Sequence, residues 1–158
     1  MKAPCVGDYA RRTHKGNSVM IIEVVTNPSV DDMAAVERGM REFERSKLPD
    51  LPAESERMSV GAFLRAPDNS IAGGIKATIF WNGLEVETLW VADEHRGEGS
   101  GSKLLNGIEE FARSHGAVIA FLTTVEGRDF YESHGYEVYG ELADRPAGPS
   151  LYHMKKRL

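Results

Sequence analysis

The hydrophobic positions change period along the chain, and the changes mark its elements. Val19 to Val25, V-M-I-I-E-V-V, is apolar and β-branched and predicts a strand. Asn27-Pro28-Ser29 breaks it, and Ser29 with Asp32 has the form of a capping box in which Asp replaces Glu or Gln. Met33, Val36, Met40 and Phe43 then recur at helical spacing, which predicts an amphipathic helix ending before Pro49. After the loop Leu48 to Pro52, Met58 to Leu64 and Ile71 to Phe80 read as strands joined by the turn Ala66-Pro67-Asp68-Asn69. Asn82-Gly83 is the strongest hairpin signal in the chain and leads into a strand from Leu84 to Val91. A glycine-rich turn, Arg96 to Gly101, opens a helix with apolar positions Leu104, Leu105, Ile108, Phe111 and Ala112, and Gly116 stands as its left-handed stop. Ala117 to Thr124 is continuously apolar and predicts a strand buried on both faces. A short helix from Arg128 to His134 stops at Gly135, and Tyr136 to Leu142 and Ser150 to Lys156 predict two last strands around the loop Asp144 to Pro149.

The resulting order is β-α-β-β-β-α-β-α-β-β, a mixed α/β fold without repeats or a second domain. Residues 1–18 are polar and without period and read as a flexible leader, so the domain spans 19–158. A chain of 158 residues with 41% hydrophobic and 27% charged residues can bury a core without disulfides or a metal. Its longest apolar stretch, Ala117 to Leu122, is far below the roughly 20 residues of a membrane span. A single cysteine, Cys5, allows no internal disulfide, and no apolar segment follows the early cations as in a signal peptide, so a cytoplasmic location is expected. The net charge of −5 argues against nucleic acid as a partner and for a cationic substrate. The five histidines do not cluster, and no metal-ligand spacing appears with Cys5, so no metal is expected.

Arg96-Gly97-Glu98-Gly99-Ser100-Gly101-Ser102-Lys103 lies between a strand and a helix, where backbone N–H groups converge at the positive end of the dipole and suit a phosphate. A P-loop starting at Gly97 would need glycine at Ser102, and so would a dinucleotide fingerprint, so both fail. The pattern present is Arg-x-x-Gly-x-Gly, formed by Arg96, Gly99 and Gly101.

With this pattern, and with Phe130-Tyr131-Glu132-Ser133-His134-Gly135-Tyr136 about 30 residues downstream, the chain resembles the GNAT superfamily of N-acetyltransferases. The resemblance covers roughly Val19 to Leu158 and implies the GNAT fold, a single mixed, mostly antiparallel sheet flanked by helices. It implies acetyl-CoA as donor, bound by Arg96, Gly97, Glu98, Gly99, Ser100, Gly101 and Ser102 at the pyrophosphate. It also implies that the strand Leu89-Trp90-Val91 splays from its neighbour and offers backbone groups to pantetheine. One departure stands out: Thr124 occupies a position where many members carry an Asn that contacts the pantetheine arm.

Acetyl transfer from a thioester to an amine needs a neutral nucleophile, donors for the developing oxyanion and a proton for the leaving thiolate. The resemblance implies Glu87 as general base, with partial burial raising its pKa; Glu85 or a water relay stays open as the alternative. It implies Tyr131 as general acid, a phenol of pKa about 10 close enough to a thiol near 8.5 to donate. Against these stand plainer readings: Glu85 and Glu87 as outward residues of a half-solvated strand, Tyr131 as an aromatic packed into the core.

The implied reaction is direct transfer to a primary amine of a small molecule in a ternary complex. The alternative is a non-catalytic acyl-CoA-binding or regulatory module. Glu42, Glu44, Asp50, Glu54 and Glu56 would give the acceptor side an acidic rim suited to a cationic amine. The resemblance further implies a homodimer through the C-terminal strands, where Tyr136 to Leu158 presents a hairpin edge.

Overall fold

A computed structural model describes residues 20–50, 57–143 and 148–158. The leader, Glu54, Glu56 and residues 144–147 of the last loop lie outside the described residues. The chain divides into two compact units, Met1–Lys47 and Leu48–Leu158. The first contains α1 (Val30–Lys47), with Asp31 and Asp32 in its first turn and Arg45 and Lys47 in its last, as the helix dipole favours. Its start is the expected capping box: the Asp32 N–H donates to Ser29 Oγ at 3.0 Å, and that hydroxyl donates to Asp32 Oδ2 at 2.6 Å.

The expected leading strand is not formed. Met20 to Val25 carry no strand, although their β-branched composition favours one. Strand propensity reflects packing and pairing with a neighbour, and among the described residues this run has no ladder partner.

The second unit is one six-stranded sheet with two helices. Its strands are β1 (Met58–Arg65), β2 (Ile71–Phe80), β3 (Gly83–Val91), β4 (Ile119–Thr124), β5 (Glu137–Leu142) and β6 (Leu151–Arg157), in the order β1-β2-β3-β4-β6-β5. All neighbours are antiparallel except β3 and β4. A parallel pair needs a long crossover, and α2 (Ser100–Ser114) supplies it. The second helix, α3 (Arg128–Ser133), joins β4 to β5.

Leu104, Leu105, Ile108 and Ala112 on α2 pack with Ile75, Ala77, Leu84 and Val86 of the sheet in one core, which also takes Ala120, Leu122, Tyr131, Tyr136 and Met154. Leu84 and Leu105 have no exposed surface, and each such side chain contributes about 2 kcal/mol of burial. The expectation that β4 is buried on both faces does not hold. Ala120 and Leu122 are buried, Ile119 and Phe121 half-buried and Thr123 exposed, because α2 and α3 both feed the same cluster on one face.

The β2–β3 hairpin also differs from expectation. Phe80 pairs with Gly83, so the two-residue loop is Trp81-Asn82 rather than Asn82-Gly83. Both loop residues have positive φ, 47° and 60°, as a type I′ turn requires. Gly83 is displaced into the strand, where a Cβ would come within 3.2 Å of the Phe121 ring. Both helices of this unit end alike, with a histidine Nδ1 against a carbonyl of the last turn (His115 on Phe111, His134 on Phe130) followed by the expected glycines, Gly116 and Gly135, at φ 84°.

Candidate active site

The site begins where β3 and β4 part. Their pairing runs from Gly83 opposite Ile119 to Val86 opposite Leu122 and stops, although β3 continues to Val91 and β4 to Thr124. At the same level β2 pairs Lys76 with Thr88 and Ala77 with Val86, so Glu87 is the extra residue of a β-bulge. The bulge shifts the alternation by one residue: Leu84 and Val86 face the core before it, Leu89 and Val91 after it. Among the described residues the β3 edge beyond Val86 has no ladder partner on the β4 side, so the stretch Leu89 to Val91 borders the gap, with its Val91 carbonyl taken by Arg96.

The chain then turns through a short 3-10 segment, Asp93–His95, into the glycine-rich loop. Arg96 spans this turn, its Nε donating to the Val91 carbonyl at 2.8 Å and its Nη1 pairing with Asp93 at 2.8 Å. Gly97 and Gly99 have φ of 78° and 76°, which side-chain-bearing residues rarely adopt. Gly99 caps α2, and no side chain caps the helix. The first helical bond runs from the Lys103 N–H to Gly99 at 3.0 Å, so the N–H groups of Ser100, Gly101 and Ser102 have no intrahelical partner. An uncapped helix start of this kind fits the pyrophosphate of a coenzyme A thioester.

The far wall is the turn after β4. Thr124 Oγ1 accepts the Gly127 N–H at 3.0 Å, closing the turn that starts α3. A Cβ on Gly127 would lie 2.9 Å from that oxygen and 3.1 Å from the Tyr131 ring, so any side chain there would displace one of them. Gly101 on α2 faces Phe130, whose ring would be in ordinary contact, 3.5 Å, with a Cβ there.

These walls enclose one cleft of about 1080 Å³. Of the sequence-predicted donor-binding residues, Leu89, Trp90, Val91 and Thr124 line it, as do Arg96, Gly97 and Gly99 and the helix-start residues Ser100, Gly101 and Ser102. Tyr131 lines it too, while Glu98 is not among its walls. Thr124 is therefore at the cleft despite replacing Asn, but its oxygen is already engaged by Gly127.

The two expected proton-transfer residues are placed differently. Tyr131 is buried, and desolvation pushes its phenol above the ordinary value. Glu87 is not a wall of the cleft. It lies on the sheet face away from the core, 2.5 Å from Lys76 Nζ and 2.5 Å from the Thr78 hydroxyl. Lys76 first, and then Thr78, hold its pKa below the ordinary carboxylate value. The expected rise through burial is thus reversed, because a cation and a hydroxyl stabilise the charged form more than desolvation opposes it. Glu85 faces Arg57 at 4.0 Å. Among the described residues no three His, Cys, Asp or Glu converge as metal ligands, and no helix is long and apolar enough to cross a membrane.

The family model described as acetyltransferase (GNAT) family matches residues 23–136. The chain belongs to this family. It is similar to an acetyltransferase, Atu2258, of Agrobacterium fabrum, with 32% identity over 106 residues covering 66% of this chain and 77% of the relative. A blasticidin-S acetyltransferase of Streptomyces morookaense is 33% identical over 93 residues, covering 56% of this chain and 67% of that one. The crystal structure of an acetyltransferase from Bacillus cereus superposes with a TM-score of 0.74 at 26% identity, covering 86% of this chain and 98% of that one. This GNAT chain is accordingly an N-acetyltransferase.

Sequence reasoning missed part of the site. His95, Val125, Glu126, Gly127 and Phe130 also line the cleft. The spacing Thr124-x-x-Gly127 before a helix was a readable turn signal, whereas nothing in the sequence shows Phe130 reaching both the core and the cleft.

Proposed function

We propose that this GNAT enzyme transfers acetyl to a primary amine of a small, cationic molecule by direct attack within a ternary complex. The observation that supports this best is that one cleft holds the open edge of β3, the uncapped start of α2 and the Tyr131 phenol. The amine nitrogen forms a bond to the thioester carbonyl carbon, the C–S bond breaks, and its electron pair leaves on sulfur. Backbone N–H groups of the open β3 edge polarise the carbonyl, and N–H groups of α2 with Arg96 hold the pyrophosphate. The Thr124 hydroxyl, accepting from Gly127, keeps its own proton to donate to the pantetheine arm.

Tyr131 gives its proton to the departing thiolate. The burial that raises the phenol pKa also disfavours a thiolate in the same cleft, so the two groups shift in the same direction. Glu87 stays ionised at the point where the strands part and orients a water that passes the proton of the amine on to bulk solvent, rather than taking that proton itself. The net charge of −5, and the antibiotic named for the Streptomyces relative, favour a cationic acceptor of antibiotic-like size. Among the described residues β5 pairs only with β6, and its other edge is where a second copy would add in a homodimer.

Thiol release from acetyl-CoA across a panel of amines, with wild type and Tyr131→Phe side by side, tests this reading. A signal with one amine class that is largely lost in the variant is expected. Acetyl-CoA binding by calorimetry without turnover on any amine would replace transfer with a binding module, and absence of binding would remove the phosphate argument.

A further inference from the structure

The core-facing side of α2 contains one residue that its apolar neighbours do not explain. Glu109 shares the buried side with Leu104, Leu105, Ile108 and Ala112 and is 1% exposed. A carboxylate withdrawn from water is kept only with strong partners. Its two oxygens are used differently. Oε2 takes the charge-bearing partners, Lys156 Nζ from β6 at 2.6 Å and Arg113 Nη2 at 3.3 Å. Oε1 takes the Tyr136 hydroxyl at 3.0 Å. The two cations already meet the charge, so the Tyr136 bond has another consequence, which is to hold the Tyr136 ring.

That ring backs Tyr131. The two centroids are 5.5 Å apart at 66°, an edge-on contact, and the Tyr136 N–H donates to the Tyr131 carbonyl at 3.0 Å. Gly127 and Phe130 confine the Tyr131 ring elsewhere: a Cβ on Gly127 would come within 3.1 Å of it, and the Phe130 centroid is 5.1 Å away. Burial and the neighbouring carboxylate push the Tyr136 phenol far above its ordinary value, so it remains a donor at every working pH. We infer that Glu109 is a positioning residue, which through Tyr136 sets the orientation of Tyr131 in the cleft and ties it to α2, the helix whose start faces the phosphates. This rests on the reading of Tyr131 as the acid.

Tyr136→Phe removes the hydrogen bond and keeps the ring. The expected result is a folded enzyme with kcat lowered roughly tenfold and KM for acetyl-CoA unchanged, because the helix start is untouched. Combined with Tyr131→Phe it should cost nothing further, since the group being positioned is already gone. Glu109→Gln, which keeps an acceptor for Tyr136, should retain more of the rate than Glu109→Leu/Lys156→Met, which removes the ion pair without stranding the half-buried lysine. That double variant also serves if Tyr136→Phe fails to fold by circular dichroism. Wild-type kcat in Tyr136→Phe beside a slow Tyr131→Phe would overturn the positioning role alone. So would losses that multiply in the double variant. A wild-type rate in Tyr131→Phe would instead overturn the acid reading, and the positioning role with it.

Discussion

β3 and β4 are one pair of strands with two fates. From Gly83 to Val86 they are hydrogen-bonded in parallel, and Leu84, Val86, Ala120 and Leu122 are buried in the core. From Glu87 onward the bulge shifts the alternation, pairing ends, and the separated strands border the cleft. Closed strands satisfy their own backbone and contribute stability. Open strands leave backbone N–H and C=O groups outside the ladder, and in the proposed reading a substrate engages those between Leu89 and Val91 that Arg96 does not already take.

The contrast gives an order of expected effects. Leu84→Ala, in the closed half, leaves a cavity in a fully buried position and should lower unfolding free energy by about 2–5 kcal/mol in denaturant titration. Acetyl-CoA affinity of the fraction still folded should be retained. Tyr131→Phe, at the open half, should do the reverse: kcat about a hundredfold lower, equivalent to roughly 2.7 kcal/mol, with little change in melting temperature. If both variants lost stability and rate together, the division between the halves would be wrong.

Gly127→Ala places a methyl 2.9 Å from Thr124 Oγ1 and 3.1 Å from the Tyr131 ring. It should cost about 1–3 kcal/mol of stability and raise KM for acetyl-CoA, read by melts and initial rates. The smallest effect belongs to Lys76→Met. The Glu87 pKa is lowered in the folded protein, so its stabilisation is present above the ordinary carboxylate value and lost as pH falls through the folded value. Removing Lys76, the largest cause, moves that loss to higher pH, which melts between about pH 3 and about 6 would detect. An unmoved acid limb would mean that Thr78 alone holds the charge.

Much of this was legible in the chain. Ser29 and Asp32 announced α1, Gly116 and Gly135 marked two helix ends, and the glycines after Arg96 marked the loop that lines the cleft. Elements set by local rules, such as caps, stops and left-handed positions, came out within a residue or two. Met20 to Val25 show the limit: β-branching alone does not make a strand without a partner edge. The hairpin shows another. Asn82-Gly83 signalled the turn, but the ladder closes on Phe80 and Gly83, which makes the loop Trp81-Asn82 and puts Trp81 at positive φ.

The sequence by itself determined the order of helices and strands of the sheet unit, the glycine-rich loop that lines the cleft and the family, because each depends on residues close together in the chain. Tertiary structure alone decided the rest. The bulge that turns Glu87 towards Lys76 and Thr78 depends on the register between β2 and β3, and the burial of Glu109 depends on Tyr136 and Lys156 arriving from distant elements. Register and burial are relations between segments, and no local pattern encodes the charge or hydroxyl that will stand opposite a given side chain.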